Sequence, residues 1–519
     1  MWYLIYRGTN PPLRIYYDRK NLYHEPSGFN STLVTVGADI LSGLPNLTIV
    51  GLPDHAVRES RERIRSAIVN SGFIFPARQI VINLSPNDTP KEGGLMEAAM
   101  AAAVLVATGQ LPQEKFADTA ILGSLSLDGG LHSARGISAA AVFASQQKPV
   151  KNLIIPASAA AEIAMADVIP VFALRHLTDL TAFAYEQIEA RQGHGYEPKE
   201  DFPEISIENI FGLSTAKRAL AIAAVGRHHM LMVGSPGTGK SLLARAYRHL
   251  LPPLSFEEAA EVTRIYSLAG LSAGELVRSR PFRSPHHTTS TPALVGGSTQ
   301  ARPGEISLAH MGTLFLDELP EFRNEALQSL REPLEDKKIT IARARGHLTY
   351  PADFQLIAAA NPCRCGELFS EGRQCRCGKT SLSQFSKLVG PFLDRIAIEL
   401  NLNNPGESFG ASEGYTTHSM RTQISDGRER SLSRNGGIFN ERLDAQRLYR
   451  FCAHLNPMRL FERHARTERL TMRSWLNTLR VALSIADWEM AEIHEMHVLE
   501  ALQYHFLRKR IEQIQTQAA

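Results

Sequence analysis

Long apolar segments are absent from the sequence, which has no unbroken apolar run of about 18 residues or more. A membrane-spanning helix needs such a run, and a secretory signal peptide needs a shorter unbroken one. Residues 1–20 interleave aromatic and charged side chains instead. We therefore expect a cytoplasmic protein that does not insert into a membrane.

Cysteine is scarce, with five in 519 residues, which excludes the disulfide framework of a secreted protein and predicts a reducing compartment. Four of the five form two Cys-x-Cys pairs, Cys363 with Cys365 and Cys375 with Cys377. Four thiolates would complete a tetrahedral zinc shell and leave no open position for a substrate. Because Cys-x-Cys is tighter than the usual Cys-x-x-Cys, the spacing leaves a structural zinc site and a metal-free loop equally open.

A large excess of charge is also absent, since the formal net charge is only +3. The chain as a whole therefore attracts nucleic acid weakly, and any DNA-binding surface has to be a local basic patch. At 519 residues the chain is too long for one ordinary domain, so we expect two or three.

Changes in composition along the chain predict where these domains begin and end. In the N-terminal part, short β-rich runs alternate with helical runs, which indicates an α/β or α+β domain. Polar stretches rich in Gly, Pro, Ser and Asn separate the later parts. The predicted segments are an N-terminal extension (1–22), an α+β domain (23–190), a linker (191–204), an α/β core (205–401), a flexible connection (402–437) and a C-terminal helical lid (438–519).

A glycine-rich loop lies between an apolar strand and a helix in HMLMVGSPGTGKSLLARAY. This context is the one in which backbone N–H groups at a helix N-terminus close around phosphates. Lys240 should reach the β and γ phosphates of ATP, and the Ser241 hydroxyl should bind Mg²⁺. The predicted nucleotide-binding residues are Gly234, Ser235, Pro236, Gly237, Thr238, Gly239, Lys240 and Ser241.

Two further apolar strands end in polar residues suited to hydrolysis. The run GTLFLDELPEF ends in Asp317, which should bind Mg²⁺ with Ser241, and Glu318, which should activate the attacking water. The run FQLIAAAN ends in Asn361, whose amide could orient that water. An acidic loop after a core strand is the alternative for the carboxylates, but the phosphate loop upstream favours the catalytic interpretation.

Two long blocks resemble the Mg-chelatase-like AAA+ family. They are RPFRSPHHTTSTPALVGGSTQARPGEISLAHMGTLFLDELPEF and LREPLEDKKITIARARGHLTYPADFQLIAAANPCRCG, and the likeness extends over about residues 32–507. The resemblance implies a central AAA+ ATPase core, an N-terminal domain similar in fold to the Lon protease domain (ribosomal S5 domain 2-like), and a helical lid. It also implies a homo-hexamer with ATP between subunits. In the competence-associated branch of the family, such a ring drives DNA branch migration during natural transformation. The implied partners are single-stranded and branched DNA and recombination proteins.

Two arginines are carried over from the family by motif. GPFLDRIAIEL resembles the family's Leu-Leu-Asp-Arg-Ile-Asp run, which would make Arg395 a finger that acts on the γ-phosphate of a neighbouring subunit. LTMRSWLNTLRVALSIADW resembles its Ser-x-Arg segment, which would make Arg473 a sensor of the γ-phosphate in its own chain. A surface ion pair is the alternative for either arginine.

Residues 337–354 alternate apolar and polar side chains around Gly346 and predict a β-hairpin. A hairpin at this place lines the ring pore in proteins that resemble this one, so the likeness implies a grip on the DNA backbone. A solvated edge hairpin protected by its charges is the alternative. The candidate DNA-binding residues are Lys337, Lys338, Arg343, Arg345 and His347.

The insert SRPFRSPHHTTSTPALVGGSTQARPGE offers a second basic stretch, with Arg283 and Arg302 as candidate DNA contacts. Its adjacent His286 and His287 suggest a metal, but no carboxylate stands nearby at ligand spacing. A structured pore loop shaped by its glycines and prolines is the better interpretation.

The resemblance also bears on the remaining alternatives. The resemblance to the Lon protease fold suggests a protease as one hypothesis. Nothing in the spacing of Ser85 and Lys91, however, marks them as a catalytic Ser-Lys dyad. An AAA+ remodeller of protein partners, of chelatase or MoxR type, and a slow nucleotide-switched scaffold are the other hypotheses. Paired cysteines recur in the family, which favours structural zinc over a metal-free loop.

Overall fold

A computed structural model shows a chain of three consecutive parts. The N-terminal residues 1–12 and 19–30 and the predicted linker from 192 onward lie outside the residues that the structure describes. The described residues are 13–18, 31–86, 94–145, 147–161, 163, 169–191, 205–271, 276–297, 302–343, 346–369, 375–377, 392–403, 414–468, 470–507 and 510–511.

The first part is an α+β domain with two main sheets. Its strands are β1 (Leu13–Asp18), β2 (Ser31–Leu41), β3 (Asn46–Val50), β4 (Gln79–Ser85), β5 (Thr119–Ile121), β6 (Ser124–Leu125), β7 (Leu131–His132), β8 (Asn152–Pro156) and β9 (Val171–Leu174). Its helices are α1 (His55–Asn70), α2 (Glu97–Ala107), α3 (Gln113–Phe116), α4 (Ile137–Ser145) and α5 (Asp179–Ala184). The sheets have the strand orders β1-β2-β4-β3 and β5-β8-β9, while β6 and β7 form a short hairpin.

Local sequence explains the main elements of this domain. Asp54 caps α1 by accepting a hydrogen bond from the backbone N–H of Val57 at 2.7 Å. The run EAAMAAAVLVA in α2 is apolar on every side and is buried at the centre of the domain, as such helices are. The strand β1 falls within the predicted extension 1–22, yet it pairs antiparallel with β2 along its length, so the domain's sheet begins earlier than expected.

The second part is an α/β core. Its strands are β10 (Met230–Val233), β11 (Phe282–Arg283), β12 (Thr313–Leu316), β13 (Lys338–Arg343), β14 (Gly346–Pro351), β15 (Gln355–Ala360) and β16 (Ile398–Asn401). Its helices are α6 (Ser214–Gly226), α7 (Lys240–Arg248), α8 (Phe256–Ala269), α9 (Thr291–Val295), α10 (Glu305–Leu308), α11 (Asn324–Ser329) and α12 (Arg331–Asp336).

One parallel sheet with the order β11-β12-β15-β10-β16 organises this core. The strands β10, β12 and β15 are buried along their whole length, which explains why they read as unbroken apolar runs. The hairpin β13–β14 stands outside this sheet, as the alternation of residues 337–354 predicts.

The third part is helical and packs on the core. Its helices are α13 (Thr417–Asn435), α14 (Ala445–Phe451), α15 (Pro457–Glu468), α16 (Met472–Trp488) and α17 (Glu495–Gln503). Buried side chains of α16 and α17 share one apolar cluster with α6, so the lid and the core pack together directly. The mixed α/β fold with a C-terminal helical lid is confirmed.

The prediction of a flexible connection over 402–437 was wrong for α13. This helix begins at a capping box formed by Thr416 and Ser419 and ends before Gly436, which adopts a left-handed conformation. Gly427 lets this helix approach the core closely, since a Cβ there would lie 3.1 Å from a methyl group of Val225 in α6. Residues 404–413 lie outside the described part.

No helix among the described residues is both long and apolar enough to span a bilayer.

Candidate nucleotide site

The glycine-rich loop connects β10 to α7. Gly237 and Gly239 have φ values of +84° and +91°, a region that side chains with a Cβ disfavour. The Lys240 ammonium donates hydrogen bonds to the carbonyls of Gly234 at 2.7 Å and Ser235 at 2.9 Å. The loop is thus closed around the lysine at the N-terminus of α7, the arrangement that binds phosphates.

Burial lowers the pKa of Lys240, while the nearby Asp317 carboxylate opposes that shift. The side chain is only 7% exposed. Its charge is therefore held in a largely dry loop, where it attracts phosphate oxygens more strongly than it would in water.

Ser241 and Asp317 meet across the sheet edge, although 76 residues separate them. The Ser241 hydroxyl donates a hydrogen bond to Asp317 Oδ2 at 2.8 Å. The other oxygen, Oδ1, accepts one from the backbone N–H of Glu318 at 2.9 Å. A hydroxyl and a carboxylate in contact are hard oxygen donors of the kind that Mg²⁺ binds beside nucleotide phosphates. These residues fit the predicted ion.

Glu318 has a partner that the sequence did not reveal. Its carboxylate is half exposed and lies 3.1 Å from Nδ1 of His287, and the ring of His287 contacts His286 and Phe322. The sequence assigns His287 to a pore loop, but the structure places it at the candidate catalytic carboxylate. The available signal is topological: His287 follows β11, which pairs in parallel with β12, the strand that ends at Asp317.

Asn361 directly follows β15, which lies between β12 and β10. The backbone N–H of Gly234 donates a hydrogen bond to the carbonyl of Ala360 at 3.2 Å. The next residue, Asn361, therefore lies beside the phosphate loop. Three strands therefore bring Lys240, Asp317, Glu318 and Asn361 to one edge of the sheet.

Arg395 lies at the opposite end of the same sheet, where its parallel strands begin. It precedes β16, whose first residue, Ile398, is paired with Met230 at the start of β10. The phosphate loop follows the other end of β10, four residues later, which is about 13 Å along a strand. Arg395 therefore faces away from the nucleotide loop of its own chain.

Arg473 shares this position, because both arginines bind Glu335. Arg395 Nη2 lies 2.8 Å from Glu335 Oε2, and a guanidinium nitrogen of Arg473 contacts Glu335 Oε1. The hydrogen bond from Arg473, together with Arg395, lowers the pKa of Glu335 against the effect of burial. The expectation that Arg473 senses the γ-phosphate of its own chain was wrong, since the lid helix α16 packs at the edge of the sheet that is remote from the loop.

Two of the candidate DNA-binding residues, Lys337 and Arg283, are paired with carboxylates of this chain. Lys337 contacts Glu441 at the base of the hairpin, and the side chains of both are about 15% exposed, so this lysine anchors the hairpin instead of facing DNA. Arg283 is held by Glu305 through hydrogen bonds of 2.7 and 2.8 Å. Lys338 is exposed.

The rest of that set is described only in part. Arg302 is exposed. Arg343 and His347 lie on β13 and β14, but their side chains are outside the described part, as is all of Arg345.

The four cysteines come together in space. Sulfur distances are 3.3 Å from Cys363 to Cys365 and 3.6 Å from Cys375 to each of these two. With Cys377, all four sulfurs lie within 4.8 Å of one another. Hydrogen bonds from backbone N–H groups lower the pKa of Cys365 to about 6, whereas burial raises the pKa of Cys363 to about 12.

The cysteine loop contacts the phosphate loop directly. The carbonyl of Gly366 accepts hydrogen bonds from the Ser235 hydroxyl at 2.8 Å and from the Asn403 side chain at 3.0 Å. Asn403 also accepts one from the Ser235 backbone N–H at 2.7 Å. Sequence reasoning missed Asn403, which follows β16 and carries no motif.

Three family models match the chain in succession. The model described as "Subunit ChlI of Mg-chelatase" matches residues 36–159, "Magnesium chelatase, subunit ChlI" matches 206–408, and "Magnesium chelatase, subunit ChlI C-terminal" matches 414–505. These spans follow the order of the three parts described above.

Relatives match over nearly the full length. The chain is 38% identical to the uncharacterized protein YifB of Salmonella typhimurium over 494 residues, which is 94% of this chain and 97% of the relative. It is 36% identical to the competence protein ComM of Haemophilus influenzae over 518 residues, or 97% and 99% of the two chains. A shorter stretch of 68 residues is 41% identical to the archaeal Lon protease of Archaeoglobus fulgidus, covering 13% of this chain and 11% of the relative.

Proposed function

The chain belongs to the Mg-chelatase-like AAA+ family, and from that premise we propose that it is an ATP-driven hexameric motor that migrates DNA branches. One observation carries the proposal: Lys240 and Asp317 lie at one edge of the sheet, whereas Arg395 and Arg473 lie at the other. A chain built this way needs a neighbour's arginines to complete its own site. Head-to-tail contacts of this kind form a closed ring where the rotation between subunits closes, and the proposed hexamer is such a ring.

Within the ring, each residue of the loop edge has a chemical role. Lys240 and the loop N–H groups bind the β and γ phosphates of ATP, and Ser241 with Asp317 would hold Mg²⁺. That ion neutralises charge on the phosphates when it is bound. Glu318 accepts the proton of the attacking water, which Asn361 orients toward the γ-phosphate.

Arg395 and Arg473 act on the neighbouring subunit's nucleotide. Their guanidinium groups stabilise the charge that develops on the γ-phosphate, and one such arginine contributes roughly 10³-fold or more in rate. Both therefore act in trans.

The proposed DNA grip is the hairpin β13–β14 with the nearby insert. Its residues are Lys338, Arg343, Arg345, His347 and Arg302. The proposal rests on their charge and on the likeness to the competence protein of Haemophilus influenzae. We also propose a cytoplasmic role in integrating transforming DNA by homologous recombination, with recombination proteins as partners, and the likeness to a competence protein supports the link to transformation.

Zinc is a further part of the proposal, held by Cys363, Cys365, Cys375 and Cys377. A tetrahedral ion with bonds of about 2.3 Å separates its sulfurs by roughly 3.8 Å, and the sulfur distances of 3.3 to 3.6 Å are close to that value. Bound zinc would fix the loop that contacts the phosphate loop through Gly366. Metal analysis of the purified chain should find one zinc per chain, lost in a Cys365→Ser, Cys375→Ser variant; a metal-free native chain would contradict the assignment.

The test of the motor is ATP hydrolysis measured with single-stranded, duplex and forked DNA. We expect severalfold stimulation, strongest with forked DNA, and none in a Glu318→Gln control. Hydrolysis that no DNA stimulates would support the remodeller of protein partners, of chelatase or MoxR type. Hydrolysis too slow for repeated turnover would support the nucleotide-switched scaffold.

A further inference from the structure

The carboxylate of Glu335 joins two arginines that belong to different parts of the molecule. Arg395 lies in the turn before β16 of the core, and Arg473 lies in the first turn of α16 in the lid. Each binds one oxygen of Glu335, which is in α12. The Arg395 side chain is only 11% exposed, whereas Arg473 is 46% and the carboxylate 42% exposed, so Glu335 and Arg473 reach the surface above a largely buried Arg395.

Two guanidinium groups that converge on two oxygens of one anion form an oxyanion-binding geometry. A terminal phosphate presents oxygens of the same charge and similar spacing, and guanidinium groups bind carboxylate and phosphate in the same manner. A cavity of about 430 Å³ adjoins the trio. Lys337, Arg442 and Arg480 also line it, together with Asp394 and Glu441, so basic side chains outnumber acidic ones around the cavity. The face is therefore suited to receive an anionic group from outside the chain.

We propose that Glu335 is a positioning residue that occupies the phosphate-binding place of Arg395 and Arg473 until the ring closes. This inference rests on the proposed function, in which the two arginines act on the neighbour's ATP. On assembly, the γ-phosphate of the neighbour's nucleotide displaces the carboxylate. Glu335 thus keeps the arginine pair ordered in the free chain and opposes assembly without nucleotide.

Competition with a carboxylate has a direct consequence for assembly. Closing the ring replaces two ion pairs of Glu335 by contacts with a phosphate of higher charge, so ATP favours assembly more than ADP does. Each of these partly exposed ion pairs accounts for roughly a 1.5- to 5-fold change in an equilibrium. Removing the carboxylate eliminates both pairs and should lower the chain concentration at half-maximal assembly by about 2- to 25-fold.

Glu335→Gln tests this, with Asp336→Asn as the matched control. Asp336 is the next residue, is exposed, and loses the same charge. Assembly is followed by sedimentation velocity across chain concentrations with ATP and with ADP, and ATP hydrolysis is measured in parallel. We expect Glu335→Gln to assemble at a lower concentration with ATP and to lower KM by more than it changes kcat. The control should match the native chain.

The opposite pattern overturns the proposal. If Glu335→Gln assembles at the native concentration or a higher one, or loses kcat with KM unchanged, Glu335 supports the working ring instead of competing with phosphate. Glu335→Asp is the second variant, since its shorter side chain keeps the charge but cannot reach both arginines; it should shift assembly in the same direction. Native hydrolysis in Arg395→Ala would refute the trans arginine itself, whereas loss of hydrolysis there with no effect of either Glu335 variant refutes only the inference about Glu335.

Discussion

Replacing Asp353 by asparagine tests how firmly the lid is joined to the hairpin. Arg227 donates to both carboxylate oxygens of Asp353 at 3.1 Å, and Arg442 of the lid contacts one of them. Burial alone would raise the pKa of Asp353, but the attraction of the two arginines outweighs it and holds the pKa well below its ordinary range. The variant removes that negative charge and leaves two guanidinium groups facing an amide.

The expected cost follows from burial. Removing one partner of a buried ion pair costs about 3 to 5 kcal/mol, and Arg442 is 40% exposed, so the lower value of about 3 kcal/mol applies. Of the three tryptophans, Trp475 and Trp488 are buried in α16 of the lid, so intrinsic fluorescence reports lid unfolding. With a slope of about 1 to 3 kcal/mol per molar urea, the midpoint of this transition should fall by roughly 1 to 3 M.

A control variant and the pH dependence of stability test this interpretation further. Asp336→Asn removes an exposed carboxylate and should leave the midpoint nearly unchanged. Because the folded pKa of Asp353 is depressed, its stabilisation is present above the ordinary carboxyl pKa of about 4 and is lost as the pH falls below it. Asp353→Asn should therefore show a weaker loss of stability in acid than the native chain. A native midpoint in this variant would refute the role of the ion pairs in holding the lid.

Three other perturbations address the nucleotide site. Glu318→Gln should bind ATP and assemble normally but hydrolyse it about 10³-fold more slowly, as radioactive phosphate release would measure; loss of assembly would contradict its role as a base. Arg395→Ala and Lys240→Ala should each be inactive, yet mixing them should recover part of the hydrolysis in hybrid rings, and a complete lack of recovery would count against the trans finger. Asn403→Ala removes the hydrogen-bond partner of the Ser235 backbone N–H and one of the two hydrogen bonds to the Gly366 carbonyl, so a fluorescent ATP analogue should bind about 10-fold more weakly; native affinity would show that the loop holds its shape without Asn403.

The nucleotide loop and its neighbours could be located from the sequence because each motif follows an apolar strand. Parallel strands deliver their C-terminal residues to one edge whatever their order, so Lys240, Asp317 and Asn361 had to lie together. Their spatial grouping was therefore available without knowing the strand order β11-β12-β15-β10-β16.

Features that depend on distant pairing could not be found in this way. A motif identifies Arg473 but not the edge of the sheet that it faces, which depends on how α16 packs against the core. The contact of Lys337 with Glu441 joins residues 104 apart, and no local pattern distinguishes that lysine from the exposed Lys338. The helix α13 was missed because its buried face is largely polar or small, including Thr417, Gly427 and Arg428, so it carries little apolar periodicity.

The ion pairs at the hairpin base join the hairpin to the lid, beside the contact of Asp353 with Arg227 of the core. Lys337 enters β13 and Asp353 follows β14, and the consecutive lid residues Glu441 and Arg442 bind one of them each. Both roots of the hairpin are thus fastened to a single turn of the lid. The six-residue strands extend about 20 Å from these roots. A lid rotation of about 10° would swing the hairpin tip by about 3.5 Å, which is close to the rise of one nucleotide along a DNA strand.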